Sequence, residues 1–482
     1  MSFKTPIFLL ESFGYRIYHS MADAGKRLTS PRLLGYNERK LFIAFFALMV
    51  ALVIENSYSQ VADFVTEQIV SFWGIVLFVI TSSIFIFGSF VILETVKAKN
   101  KETGTGQISM RAIELIITII QYILTSIIVF VILQVLFTSQ YNKDLLTVSY
   151  NISYLSSIFL TVLLAWKLFS WYKIQKKPIV LLFGLGAVFI VLASICAIIW
   201  SDVILLLKPS VVFPDSEVLF GVSDEDSEVN YQFDFVLQIL YYFQTAFILL
   251  IWGGTILLLY HNFKWIGRVK FWVLVILPVV TFLSTLLTIY QEINPTGLVA
   301  QAFSSNLMIP ILVLNYSGLA VGIIFGLSFI LVGRFLKRGI HSRDYMIIAG
   351  LGFILFYWAN GATLIQAAYP PYGIATVSAM PLALFMIVTG LYYSAVSVAQ
   401  DITLRNSMRQ SVTDMKFLEG IGMAQVEKEV QRRVSHLEIV FKEQRTELEK
   451  LSGVQSSIQG QDIKGYLLEV LHEVDKQKMV GK

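Results

Sequence analysis

The fold is decided by residues 379–409, which read AMPLALFMIVTGLYYSAVSVAQDITLRNSMR. An apolar run continues from Ala379 to Ala399 and stops at Gln400 and Asp401, after which the chain is polar and basic. No later stretch is apolar enough, over the 20 or so residues that a bilayer requires, to cross a membrane again. This exit therefore divides the chain into a membrane part before it and a soluble, helical tail after it.

The composition of the whole chain favours a membrane protein. Of its 482 residues, 56% are hydrophobic and 15% are charged, whereas a soluble domain carries about 25% charged residues. The single cysteine, Cys196, lies in an apolar run, which excludes a disulfide framework or a cysteine metal site within one chain. The sequence contains no glycine-rich nucleotide loop, HExxH motif or nucleophile motif, so we expect no enzyme, no catalytic or metal-binding residues and no cofactor.

Apolar runs of membrane length predict ten spans. They are residues 41–60, 69–93, 112–137, 151–171, 178–200, 235–260, 271–290, 308–333, 345–368 and 379–400. The predicted fold is therefore all-α. A transmembrane bundle of ten helices occupies residues 41–400, between a cytoplasmic segment (1–40) and a cytoplasmic helical, coiled-coil tail (401–482).

Lysine and arginine residues predict the orientation of these spans. The segment 1–40 carries seven of them, and the even-numbered connections with their flanks carry fifteen. The odd-numbered connections carry two, Lys143 and Lys208. Because cytoplasmic segments hold the excess of positive charge, we expect a multi-pass protein of the cell membrane with both termini in the cytoplasm. In the first span the apolar run Leu41–Ile54 is followed by Glu55, which this orientation places near the outer interface.

Neutral polar residues recur in the outer half of the later spans. Counting about 1.5 Å per helical residue, the amides lie roughly 10–13 Å below the outer ends of their spans. The candidate ligand-binding residues are Gln244, Asn315, Tyr357 and Asn360. An apolar pocket with a few convergent amides suits a small neutral ligand. The alternative is that these amides form hydrogen bonds between helices and only stabilise the bundle.

Two patterns predict helix packing. Gly318, Gly322 and Gly326 form one smooth face, which allows a second helix to approach closely, either within the bundle or in a homodimer. In the tail, apolar residues follow a heptad pattern that is typical of a coiled coil. The tail positions are Val430, Val434, Leu437, Phe441, Leu448 and Leu451. Their partner is either a second copy of the chain or a second predicted helix at residues 463–474.

The junction between membrane and tail carries a family resemblance. The stretches SAVSVAQDITLRNSMR (residues 394–409) and GIGMAQ (residues 420–425) resemble a family of uncharacterised archaeal, thaumarchaeal-type, polytopic membrane proteins. Members of that family are similar in layout to the membrane halves of sensor kinases. The resemblance implies lineage and the multi-pass layout, and it implies no activity.

Three classes of function fit these features. The first is a non-catalytic membrane sensor or signalling scaffold that couples an outer-half pocket to the tail. The second is an accessory or structural subunit that holds a cytoplasmic protein partner through its tail. The third is a transporter of a small neutral solute. The expected partners are the lipid bilayer, a second copy through the tail or the eighth span, and a cytoplasmic protein, with no nucleic acid.

Overall fold

A computed structural model shows that the chain is built from helices. It describes residues 36–61, 72–102, 108–138, 141–207, 227–260, 263–279, 308–335, 341–366, 371–400 and 416–452. Apart from short turns, every residue in these ranges is helical and none is in a strand. The predicted all-α fold is therefore confirmed for this part of the chain.

The described ranges contain twelve helices. In chain order they are α1 (Tyr36–Val61), α2 (Phe72–Glu102), α3 (Ile108–Thr138), α4 (Lys143–Gln175), α5 (Pro178–Leu207), α6 (Ser227–Tyr260), α7 (Phe263–Ile266), α8 (residues 268–279), α9 (Met308–Phe335), α10 (His341–Gln366), α11 (Ile374–Gln400) and α12 (Lys416–Ser452). The α4–α5 connection has an evident cause. Lys176 ends α4: it adopts a left-handed φ of 50°, and its N–H donates to the carbonyl oxygen of Tyr172 at 2.7 Å. Pro178 then begins α5, because its fixed φ suits the first turn of a helix.

Within the described ranges, six helices are long and apolar enough to cross a bilayer, which supports a multi-pass membrane protein. These segments are Gly74–Lys101, Met110–Thr138, Lys143–Gln175, Pro178–Trp200, Gln238–Tyr260 and Ile374–Ala399. They coincide with the second to sixth and the tenth predicted spans. The first and eighth predicted spans lie in α1 and α9, and α9 contains a shorter apolar segment, Val321–Arg334. The seventh and ninth begin in α8 and α10, and their last parts, 280–290 and 367–368, lie outside the described residues. The number ten stays a prediction.

Helix α11 is the centre of the bundle. Its membrane-length window is completely buried, whereas the windows of the other five candidate spans are one third to one half buried. It packs along α10 and α4, and it also contacts α2, α3 and α12. A helix that is apolar all round, as α11 is, belongs in such a fully enclosed position.

Glycines let α9, α10 and α11 approach one another closely. A Cβ atom built at Gly322 would lie 2.5 Å from the Cβ of Tyr357, and one built at Gly350 would lie 2.5 Å from the carbonyl oxygen of Gly326. The Gly322–Gly326 face is thus covered by α10 of the same chain, which is the bundle-packing alternative. The surroundings of Gly318 lie outside the described side chains.

Large apolar side chains cover the outside of the bundle. Phe46, Phe87, Phe137 and Trp166 are each at least 70% exposed and lie on four different helices. Soluble monomers seldom expose apolar surface on this scale. A belt of exposed aromatic and aliphatic side chains is what a bilayer would cover.

Candidate functional site

Glu55 of α1 caps the N-terminus of α11, and its side chain is fully buried. Its Oε1 accepts a hydrogen bond from the backbone N–H of Gly373 at 3.0 Å, and its Oε2 accepts one from Thr376 Oγ1 at 2.9 Å. The N–H of Ala375 is a third donor. The first N–H groups of a helix lack intrahelical partners and lie at the positive end of its dipole. A carboxylate therefore stabilises this helix end.

Gly373 is the N-cap residue of α11, and it leaves the capping of this helix to Glu55. Its φ of 95° is strained for any residue with a side chain. Its carbonyl oxygen accepts the first helical bond of α11, from Val377 N at 2.9 Å, so it stands in the N-cap position. Glycine offers no side-chain oxygen to cap the helix, and Glu55, 318 residues away in sequence, supplies it. The preceding Tyr372 packs edge-to-face on Phe78 of α2, with ring centroids 5.6 Å apart.

Buried hydroxyl groups surround this end of α11, which we call the Glu55 end. Tyr150 of α4 is fully buried and lies within electrostatic reach of Glu55. The side-chain oxygens of four serines within about a turn of the contact residues are buried with no hydrogen-bond partner among the described residues. They are Ser82, Ser149, Ser153 and Ser378.

Tyr141 lies just before α4 and within electrostatic reach of Tyr150 at the same end. It is buried, and burial raises the pKa of its phenol above the ordinary value. The phenol is therefore neutral at every physiological pH and keeps its proton as a hydrogen-bond donor. The Glu55 end thus combines one carboxylate with several hydroxyl groups.

The other end of α11 contacts the tail helix α12; we call it the tail end. The indole Nε1 of Trp171 in α4 donates to Gln425 Oε1 at 3.3 Å. A Cβ atom at Gly422 would lie 2.7 Å from the Cβ of Val398 in α11, so only glycine fits there without displacement. Leu418, Ile421 and Ala424 are fully buried. The first half of α12 is therefore packed against α4 and α11.

This packing changes the interpretation of the apolar heptad positions predicted in the tail. Val434 is 1% exposed and Val430 is half-buried in a single chain, so the burial of Val434 needs no second copy. The side chains of Leu437, Phe441, Leu448 and Leu451 lie outside the described ones, although all four residues are in α12. The predicted helix at 463–474 also lies outside the described residues. A coiled coil beyond Val434 stays a prediction.

Aromatic and charged side chains connect the helices at the tail end. The rings of Tyr345 in α10 and Tyr393 in α11 stack with centroids 5.1 Å apart. The Tyr345 hydroxyl donates to the carbonyl oxygen of Lys99 in α2 at 3.0 Å, and Lys99 Nζ lies 2.7 Å from Asp344 Oδ2. These contacts hold α2, α10 and α11 together where α12 docks.

The predicted ligand-binding residues lie around an aromatic cluster. The Tyr357 ring in α10 stacks on Phe247 of α6 at 5.2 Å and meets the edge of Phe325 of α9 at 5.3 Å. Its hydroxyl is buried and has no hydrogen-bond partner in the described part of the chain. Gln244 and Asn360 are half-buried and lie three residues from Phe247 and Tyr357 on their helices. Asn315 is in α9, and its side chain lies outside the described ones.

The structure thus brings Tyr357 into contact with helices α6 and α9. Gln244 and Asn360 lie about one turn beyond the aromatic cluster, on α6 and α10 respectively. A ligand-binding pocket formed by these residues stays a prediction.

Comparisons with protein-family models, with curated proteins and with solved structures gave no match to this chain.

Sequence reasoning missed the two contacts that define the ends of α11. It placed Glu55 near one interface but gave it no partner. The available signal was Gly373. It stands directly before a long apolar run, in the N-cap position where Ser, Thr, Asp or Asn would be expected. For the tail, the signal was the pair Gly420 and Gly422 in an otherwise regular helix, since mid-helix glycines often permit close packing.

Proposed function

We propose that this protein is a non-catalytic membrane sensor or signalling scaffold in which α11 passes a change at its Glu55 end to the tail helix α12. One observation carries the proposal. Helix α11 is buried from Ile374 to Val398, is capped by Glu55 at one end and packs against Gly422 of α12 at the other. Its 27 residues span about 40 Å. Because close-packed interiors transmit displacement, a shift of α11 would be felt by α12.

Two inputs would reach α11. A change in the hydrogen bonds of Glu55 acts on it directly, and ionisable groups at membrane depth commonly mark functional sites. A small neutral ligand held by Tyr357, Gln244, Asn315 and Asn360 would act through α10. Helix α10 is locked to α11 by glycines, since a Cβ at Gly352 would lie 2.9 Å from the carbonyl oxygen of Ala383.

The proposal includes the ten-span topology with both termini in the cytoplasm. It is supported by the distribution of lysine and arginine and by the six candidate spans that coincide with predicted ones. In intact cells, cysteines introduced at Ser216 and Ser227 are expected to react with a membrane-impermeant maleimide, and one at Ser452 is expected to react only after lysis. Labelling of the Ser452 position from outside would contradict the orientation.

Coupling between the two ends is tested by hydrogen–deuterium exchange in the tail. Glu55→Gln keeps the size of the side chain but weakens the cap on α11. If α11 transmits the change, the backbone amides of residues 416–434 are expected to exchange several-fold faster in this variant than in the wild-type protein, because their docking on α11 is disturbed.

The matched control is Trp252→Phe. It removes a part-buried hydrogen bond between two other helices, from Trp252 Nε1 in α6 to the carbonyl oxygen of Val275 in α8 at 3.0 Å. It is expected to leave tail exchange unchanged. Unchanged tail exchange in Glu55→Gln as well would contradict the sensor proposal and favour an accessory subunit with a permanently docked tail.

A further inference from the structure

Two lysines lie close together where α4 meets α12. Lys428 Nζ donates to Ser170 Oγ at 3.0 Å, and Lys167 Nζ lies 5.3 Å from the centre of the Tyr392 ring. Both side chains are half-buried, and the charge of Lys428 acts on Lys167. No carboxylate lies within ion-pair distance of either ammonium group in the part of the chain that the structure describes.

Among the described residues, this pair has no counter-charge within ion-pair distance. Two like charges at a partly desolvated site repel each other, and a hydroxyl and an aromatic ring do not neutralise them. The Tyr392 hydroxyl beside them is also buried without a hydrogen-bond partner among the described residues. Glu429 and Arg432 of α12 act on Tyr392 with opposite charges and so add no net charge. The site thus presents two ammonium groups and an unused hydroxyl donor to an anion.

We propose that the phosphate group of an anionic phospholipid binds between Lys167 and Lys428. A phosphate oxygen accepts strong, charge-assisted hydrogen bonds from ammonium groups. Basic pockets at the cytoplasmic ends of membrane helices are suited to lipid headgroups, and the predicted orientation places this end in the cytoplasm. The proposal goes beyond the sensor function; it rests on the proposed orientation of the chain and not on signalling through α11.

A lipid fits better than free phosphate because of the surroundings. Trp166, next to Lys167, is 70% exposed on α4, and tryptophan prefers the headgroup level of a bilayer. Lys167 lies eight residues before the end of α4, about 12 Å along the helix. This depth and Trp166 are consistent with a position of the lysine pair at the headgroup level of a bilayer. A bound lipid would join α12 to α4 and make tail docking depend on the lipid composition.

Native mass spectrometry of the full-length protein in detergent micelles tests this site with phosphatidylglycerol and phosphatidylcholine as probes. The wild-type protein is expected to retain phosphatidylglycerol in preference to phosphatidylcholine. The variant Lys167→Gln/Lys428→Gln is expected to bind phosphatidylglycerol about tenfold or more weakly, since each lysine near an anionic headgroup contributes substantially to binding. Phosphatidylcholine binding is expected to stay the same.

The control variant is Lys173→Gln/Lys101→Gln, which removes two exposed lysines at the same end and changes the net charge equally. It is expected to bind phosphatidylglycerol like the wild-type protein. The single variant Lys428→Gln, which alters only the tail helix, provides the same test without a change inside the bundle. Equal binding of phosphatidylglycerol by the wild-type protein, by Lys428→Gln and by Lys167→Gln/Lys428→Gln would overturn the proposal. Binding of inorganic phosphate without binding of phosphatidylglycerol would overturn the lipid as the source of the phosphate.

Discussion

Replacing Gly390 by leucine is expected to prevent the protein from folding. A Cβ atom at this position would lie 2.6 Å from the backbone nitrogen of Ala349, 2.6 Å from the carbonyl oxygen of Tyr345 and 2.7 Å from the Cβ of Ala349. The first two atoms belong to the backbone of α10, which cannot rotate away as a side chain can. Even Gly390→Ala is expected to cost about 3 kcal/mol of stability, the upper part of the range for overpacking.

The measurement is size-exclusion chromatography of detergent-solubilised protein, followed by thermal unfolding of the folded fraction. Gly253 of α6 is the matched control, because a Cβ there would meet only Leu182 Cδ1, at an ordinary 3.6 Å. Gly253→Ala is expected to elute and unfold like the wild-type protein, or to be slightly more stable, since alanine favours helix over glycine. A monodisperse Gly390→Leu protein would show that α10 and α11 are not packed as closely as described.

The glycines also show where sequence reasoning stops. The stripe Gly318, Gly322 and Gly326 was recognisable because its spacing repeats on one helix. Gly350, Gly352 and Gly390 have no such repeat, and their importance depends on which helix lies opposite. A close contact is a property of two helices together, so it cannot be derived from the pattern of one. The long apolar runs, by contrast, predicted the membrane-length helices because each run alone satisfies the requirement of the bilayer.

The same limit applies to both ends of α11. The apolar stripe of the tail was visible in its periodicity, but periodicity does not say what covers a stripe. In the structure Val434 is already covered within one chain. For Glu55, the sequence showed a carboxylate at the end of a short apolar run but not its partner, which is 318 residues away. Pairing over such a separation follows from the packing of α1 against the rest of the bundle.

The second large effect is expected for Glu55→Ala, which removes the cap from α11. The N–H groups of Gly373 and Ala375 and the Thr376 hydroxyl would then stay buried without an acceptor. Each unsatisfied donor costs about 1–3 kcal/mol. Removing the carboxylate also removes the cost of burying it, and we expect a net loss of about 3 kcal/mol because several donors are affected and only one acceptor group is deleted.

Two milder variants are expected to lose less stability than Glu55→Ala. Glu55→Gln keeps one oxygen that can accept from an N–H, and Thr376→Val removes a single donor, so each is expected to cost about 1 kcal/mol. Thermal unfolding midpoints in one detergent should therefore fall most for Glu55→Ala and by similar smaller amounts for the other two. The control Glu94→Ala removes an exposed carboxylate on α2 and should change stability by less than about 0.5 kcal/mol. If Glu55→Ala unfolded at the same temperature as Glu94→Ala, the carboxylate would contribute nothing to the end of α11, and that helix would be held by apolar packing alone.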